Sequence, residues 1–181
     1  MSYENGRWMN GGLLCLLLLR IAAVFFTSTA ALSMGFNKQS ITKAVAIVGT
    51  KTLYHSYAAK FHQTPAFIFL VVVNAVASIY NPVVLLCSFF SKGKALHNMM
   101  LRYTDLVVFA VTATGAAAAA SMAELGRNGN LHARWSPMCD QFGGFCLRSD
   151  VAIAASFVGA FLHMILIAVS LADGIQTSSK D

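Results

Sequence analysis

Charge is the scarcest feature of this sequence. Of its 181 residues only 11% are Asp, Glu, Lys or Arg, seven acids against thirteen bases, while 57% are hydrophobic. A soluble domain carries about a quarter charged residues, so a water-soluble globular class is excluded at the outset. Proline occurs only three times, leaving long apolar stretches with few interruptions. The net charge of +6 does not indicate nucleic acid, because the basic residues are spread singly through the loops with no basic helix or aromatic platform. Metal-ligand spacing is also missing. His55 and His62 lack companion cysteines and acids and read as surface histidines, so no metal site is expected. No nucleophile stands beside a base, which leaves neither a catalytic residue nor a cofactor to name.

What remains is apolar and long. Crossing about 30 Å of hydrocarbon takes roughly 20 residues of helix. Four runs qualify, at about 13–34, 66–90, 101–123 and 151–172. The expected fold is an all-α membrane protein, a four-transmembrane-helix bundle forming a single domain over 1–181, with two long loops at about 37–65 and 124–150. The first run lacks a small-residue cleavage site after a short core and reads as a retained span. Basic residues number five on the side of the termini (Arg7, Lys92, Lys94, Arg102, Lys180) and seven in the long loops. Weighted to short segments, where the positive-inside rule applies, they place both termini in the cytoplasm, with Trp8 near the interface and the basic hinge 91–94 facing anionic lipid.

Two of the runs contain a charge of particular interest, Arg20 in the first and Asp105 in the third. An ionisable group in hydrocarbon is costly and calls for a partner. Arg20, Thr27 and Ala31 lie at steps of zero, seven and eleven, and Asp105, Thr112 and Ala116 repeat those steps. Spans one and three run parallel, so the two faces are expected to meet, with Ala119 and Ala123 continuing the small-residue face and Arg20 paired to Asp105. His163, in the middle of the fourth run, reads as a hydrogen-bonded packing residue, with a proton relay as the alternative. Asn81-Pro82 should kink the second helix or end it early.

The loops carry the remaining signals. Two β-prone stretches, 43–51 and 52–61, meet at Gly49-Thr50 and predict a short β-hairpin in the first loop. In the second loop Cys139 and Cys146 can close a disulfide if that loop faces the oxidising side, with Trp135 and Phe142 packed beneath the resulting cap. Their C-x6-C spacing is not that of a C-x-x-C redox pair, although reactive thiols are the alternative. Cys15 and Cys87 read as small apolar packing residues, with S-palmitoylation as the other possibility.

Several short motifs occur in order along nearly the whole chain. They are Leu19-Arg-Ile-Ala22, Ser33-Met-Gly-Phe-Asn-Lys-Gln39, Pro65-Ala-Phe-Ile-Phe69, Asp105-Leu106, the segment from Trp135 to Cys146, and Ala154-Ala-Ser-Phe-Val-Gly159. Together they resemble the plant CASP-like family, the Casparian strip membrane domain protein-like tetraspans related to MARVEL proteins. The resemblance implies a multi-pass plasma-membrane protein with cytoplasmic termini and a characteristic Arg and Asp pair, matched by Arg20 and Asp105. Founding members of that family form immobile membrane platforms that recruit wall-modifying proteins. The resemblance therefore implies a non-catalytic scaffold partnered by membrane lipids, by further copies of itself or related members, and by extracellular wall-modifying proteins, with no nucleic acid. The acidic and aromatic first-loop signature of the endodermal members is absent from 37–64, which favours a broader duty. The competing class is a small transporter or channel using Arg20, Asp105 and His163 as a polar path.

Overall fold

The computed structural model describes residues 2–48, 51–90 and 95–178, with side-chain surroundings given over 14–45, 52–87 and 99–172. Trp8, the Gly49-Thr50 turn, the basic hinge 91–94 and Lys180 lie outside one or both of those sets.

Each apolar run is helical, as expected where the backbone must satisfy its own hydrogen bonds away from water. The helices are α1 (Ser2–Gly35), α2 (Pro65–Phe90), α3 (Ala95–Asn128) and α4 (Gly143–Ser178). Stretches long and apolar enough to cross a membrane cover Leu14–Gly35, Pro65–Cys87, Met99–Asn128 and Gly143–Ala172. Helix α2 starts with Pro65 at its first position, where the missing N–H costs nothing, and the Thr64 carbonyl accepts the Phe67 and Ile68 amides. It then runs unbroken through Pro82 to Phe90, so no early end occurs there. Helix α3 stops at Gly129, whose φ of +69° supplies the left-handed cap while its N–H bonds the Leu125 carbonyl at 2.9 Å. A Cβ at that position would sit 2.5 Å from the Trp135 carbonyl oxygen, so only glycine fits.

The helices form a ring in which α1 touches α2 and α4, and α3 touches α2 and α4. The expectation that α1 and α3 lie face to face is therefore corrected, because they occupy diagonal corners. What faces inward follows one rule. The innermost stripe runs through 20, 23, 27, 30 and 34 on α1, through 67, 70, 74, 77, 81 and 84 on α2 and through 145, 149, 152, 156, 160, 163 and 166 on α4, with Val73, Ile153, Ala155 and Gly159 buried beside it. Steps of three and four are the seam of left-handed, coiled-coil-like packing. Outward faces are apolar too: Leu14, Leu18, Ile21, Phe25 and Leu32 are all more than half exposed on α1. Apolar faces turned away from the bundle are what a lipid surround accepts.

Two strands follow α1, β1 (Lys38–Val48) and β2 (Lys51–Lys60), paired antiparallel from Lys38 opposite Lys60 outward, with a bulge between Ala44 and Ala46. The hairpin begins five residues earlier than the sequence pattern suggested. Only its base is packed: Ala59 is buried and Ile41 partly so, whereas Leu53, Tyr54 and Tyr57 are exposed. A single 3-10 turn, Phe61–Gln63, leads back to α2.

Candidate functional site

The innermost residues stack in layers seven residues apart, about 10 Å along each helix. At the end remote from the hairpin, one side chain from each helix forms a clasp. Arg20 of α1 donates from Nη2 to Asp105 Oδ2 of α3 at 2.8 Å and from Nη1 to Oδ1 at 3.2 Å, the bidentate geometry that makes Arg and carboxylate a strong pair. The same Nη1 reaches Asn81 Oδ1 of α2 at 3.2 Å. Asn81 Nδ2 bonds the Ala77 carbonyl at 2.8 Å and His163 Nε2 of α4 at 3.0 Å. Since His163 Nδ1 faces the Gly159 carbonyl at 2.8 Å, which can only accept, the proton belongs on Nδ1 and Nε2 accepts from Asn81. Tyr80 completes the group, donating to Asp105 Oδ1 at 2.9 Å and meeting the Thr104 hydroxyl at 2.8 Å. Arg20 is 8% exposed, Asp105 1%, and Asn81 and His163 not at all. Diagonal helices are thus joined by long side chains reaching the bundle axis and not by backbone contact.

The next layer holds Thr27, Asn74, Thr112 and Ser156, all fully buried. Asn74 Nδ2 donates to Ser156 Oγ at 2.8 Å across α2 and α4. The two threonines bond their own helices, Thr27 to the Ala23 carbonyl and Thr112 to that of Val108, both at 2.7 Å, so their hydroxyls bridge nothing. Close helix approach in this region depends on two glycines. A Cβ on Gly159 would come within 2.9 Å of Thr27 Cγ2, and one on Gly115 within 2.8 Å of Val73 Cγ2. Of the expected small-residue face, Ala116 and Ala119 are buried, while Ala31 and Ala123 are half-buried. The main helix neighbours of both α1 and α3 are α2 and α4, so this face is not a seam between α1 and α3.

The third layer, at the hairpin end, is mostly apolar: Met34, Leu70, Phe67, Ala119, Phe142 and Phe145 form its core. Asn37 joins α1 to α4, its Nδ2 donating to the Phe145 carbonyl at 2.8 Å and to Ser149 Oγ at 2.9 Å. Gln39 Oε1 accepts the Phe145 amide at 2.6 Å, satisfying one of the free N–H groups at the start of α4. A disulfide joins Cys139 to Cys146, with Cα atoms 5.7 Å apart, pinning the loop to the first turn of α4. Phe142 lies beneath it in the core. Trp135 does not, being 54% exposed at the rim of a cavity, which corrects the expectation of a packed cap. Cys15 and Cys87 both face outward, so the packing role read for them does not hold.

Most of the chain is similar to known proteins. The family model described as the Casparian strip membrane protein domain matches residues 10–162. The chain belongs to that family. Among its relatives, CASP-like protein 1B1 of Sorghum bicolor is 47% identical over 161 residues, 89% of this chain and 76% of the relative. CASP-like protein 1B1 of Oryza sativa subsp. japonica is 46% identical over 155 residues, 86% and 79% respectively. The Zea mays protein of the same name is 51% identical over 141 residues, 78% and 66%. No solved structure matches. For this CASP-like chain, Arg20 and Asp105 stand out in sequence as charges in apolar runs, whereas hydropathy does not mark Asn81, Tyr80 and Thr104 as partners of those charges. A signal for Asn81 was available: Asn74 with Asn81, and Ser149, Ser156 and His163, repeat at intervals of seven just as Arg20 and Thr27 do.

Proposed function

We propose that this CASP-like protein is a non-catalytic scaffold of the plasma membrane, with both termini in the cytoplasm, that self-associates into platforms organising cell-wall-modifying proteins or a diffusion barrier. The observation that supports this reading is the clasp. Both oxygens of Asp105 are taken by Arg20 and Tyr80, and the Arg20 guanidinium is held between Asp105 and Asn81. Opposite charges closed on each other neutralise locally and serve architecture, because a conducting path needs charges free to meet an ion. Apolar outward faces on the four helices then leave lipid and neighbouring copies, or related family members, as the surroundings of the bundle.

Single-molecule tracking of the fluorescently tagged chain in a plant plasma membrane tests the proposal. Confined, nearly immobile clusters are expected, and free diffusion of single copies would overturn it. Purified protein in proteoliposomes should pass neither protons nor anions above the rate of empty vesicles.

A further inference from the structure

A cavity of about 330 Å³ opens at the hairpin end, between the starts of α2 and α4, the end of α3 and the disulfide-pinned loop. That volume falls within the range of small-molecule sites, about 300 to 1,000 Å³. Its wall is aromatic and sulfur-rich: the rings of Phe67 and Phe145, 6.0 Å apart and tilted, the side chains of Met122 and Met138, and Trp135 at the rim. Rings and thioethers are polarisable surfaces that favour a flat, ring-based guest. The polar points are few. Besides the charged Lys60 and Asp150 they are Gln63, Thr64, Ser136 and Ser149, the last only 2% exposed.

A pair of lysines beside the cavity gives a second, independent indication. Lys60 lines this cavity and also a smaller hollow of about 190 Å³ that Lys38 shares. Lys38 and Lys60 are direct cross-strand partners at the base of the hairpin, and like charges so placed repel. Neither has an acidic partner: the ion pairs among the described residues are Arg20 with Asp105 and Arg127 with Asp150. Asp150, the carboxylate at the cavity, is therefore already engaged. The sequence from 37 to 64 contains no Asp or Glu at all. An anion at the mouth would relieve the repulsion between the two lysines while its apolar body fills the ring-lined interior.

We infer that this cavity binds a small amphiphilic anion with a flat, ring-based body, the anionic group lying between Lys38 and Lys60. The inference does not depend on the scaffold reading, since a ligand site and self-association are separate properties. The test is equilibrium dialysis of 2-naphthoate against the full chain in lipid nanodiscs, with empty nanodiscs as the blank for partitioning. Saturable binding to one site per chain is expected. Replacing both lysines (Lys38→Gln with Lys60→Gln) should weaken it at least about tenfold, the scale of a hydrogen bond to a charged group. Ala123→Leu, which fills the interior, should abolish it. Two comparison ligands separate the contributions: 2-naphthylmethanol keeps the rings without the charge, and decanoate keeps the carboxylate on a lipid-like chain. Both should bind at least about tenfold more weakly than 2-naphthoate. Absence of saturable binding, equal binding by the double glutamine variant, or equal binding of either comparison ligand would each overturn the proposal. Because both lysines are exposed, their variant decides the matter even where Ala123→Leu fails to fold.

Discussion

The two ends of the bundle solve the same problem by opposite means. Arg20 and Met34 lie fourteen residues apart on α1, about 21 Å, and each sits in a layer that helps to hold the helices together. Around Arg20 the contacts are polar and directional, and each side chain has only a few acceptable partners. Around Met34 they are apolar, helped by a disulfide and by two amide side chains tying β1 and the end of α1 to α4. Lipid is as apolar as a core of Leu and Phe, so apolar contact alone discriminates poorly among helix partners. Polar groups in hydrocarbon discriminate strongly, since a wrong arrangement leaves them unsatisfied. The clasp accordingly specifies which helices meet, and the hairpin end adds covalent and packing strength where water is near.

This contrast is broken most severely through Asp105. Asp105→Ala strands the Arg20 guanidinium in the bundle and should cost about 3 to 5 kcal/mol, read as loss of folded yield and a lower unfolding temperature in detergent. Exchanging the pair, Arg20→Asp with Asp105→Arg, should recover part of that. Equal stability of both variants and the unaltered chain would show that the clasp specifies nothing. At the other end, replacing Cys139 and Cys146 together by serine should cost about 2 to 3 kcal/mol. Hydrogen exchange should then quicken at 142–149 and stay unchanged around Asp105. If protection fell equally at both ends, the two would form one cooperative unit and the contrast would fail.

Between the ends, Gly115→Ala places a methyl group against Val73 and should destabilise by about 1 to 3 kcal/mol. Adding Val73→Ala should restore most of the loss, and failure to restore it would move the α2 to α3 contact elsewhere. The smallest effect belongs to Arg127, whose ion pair with Asp150 is about half exposed. Arg127→Ala should change stability by less than about 1 kcal/mol, and raised salt should leave even less of the effect. A larger change in thermal unfolding would mean that the hairpin end relies on charge after all.

Much of this was legible in the chain. The four helices announced themselves by length and hydropathy, the hairpin by two β-prone stretches, and Arg20 and Asp105 by being charges in apolar runs. The small-residue steps shared by the first and third runs were also real, but they signified something different from contact between the two helices. Thr27 and Thr112 are each turned to the bundle axis and bonded within their own helix, as members of one layer on opposite corners. Trp135 departs from its expected place beneath the disulfide for a related reason. An aromatic side chain beside a disulfide can cover a core or line a mouth, and only the path of the loop decides between them.

By itself, the sequence determined the membrane class, the number of helices and the identity of the charges that must be satisfied, because these follow from composition and from runs in one dimension. The tertiary structure alone decided the ring order of the helices, the recruitment of Asn81, Tyr80 and Thr104 to the clasp, and the cavity behind the disulfide. The physical reason is that hydropathy marks the inward face of a helix only where water lies outside. In lipid both faces are apolar, and the inward face is marked by small and polar residues whose partners depend on which helices become neighbours.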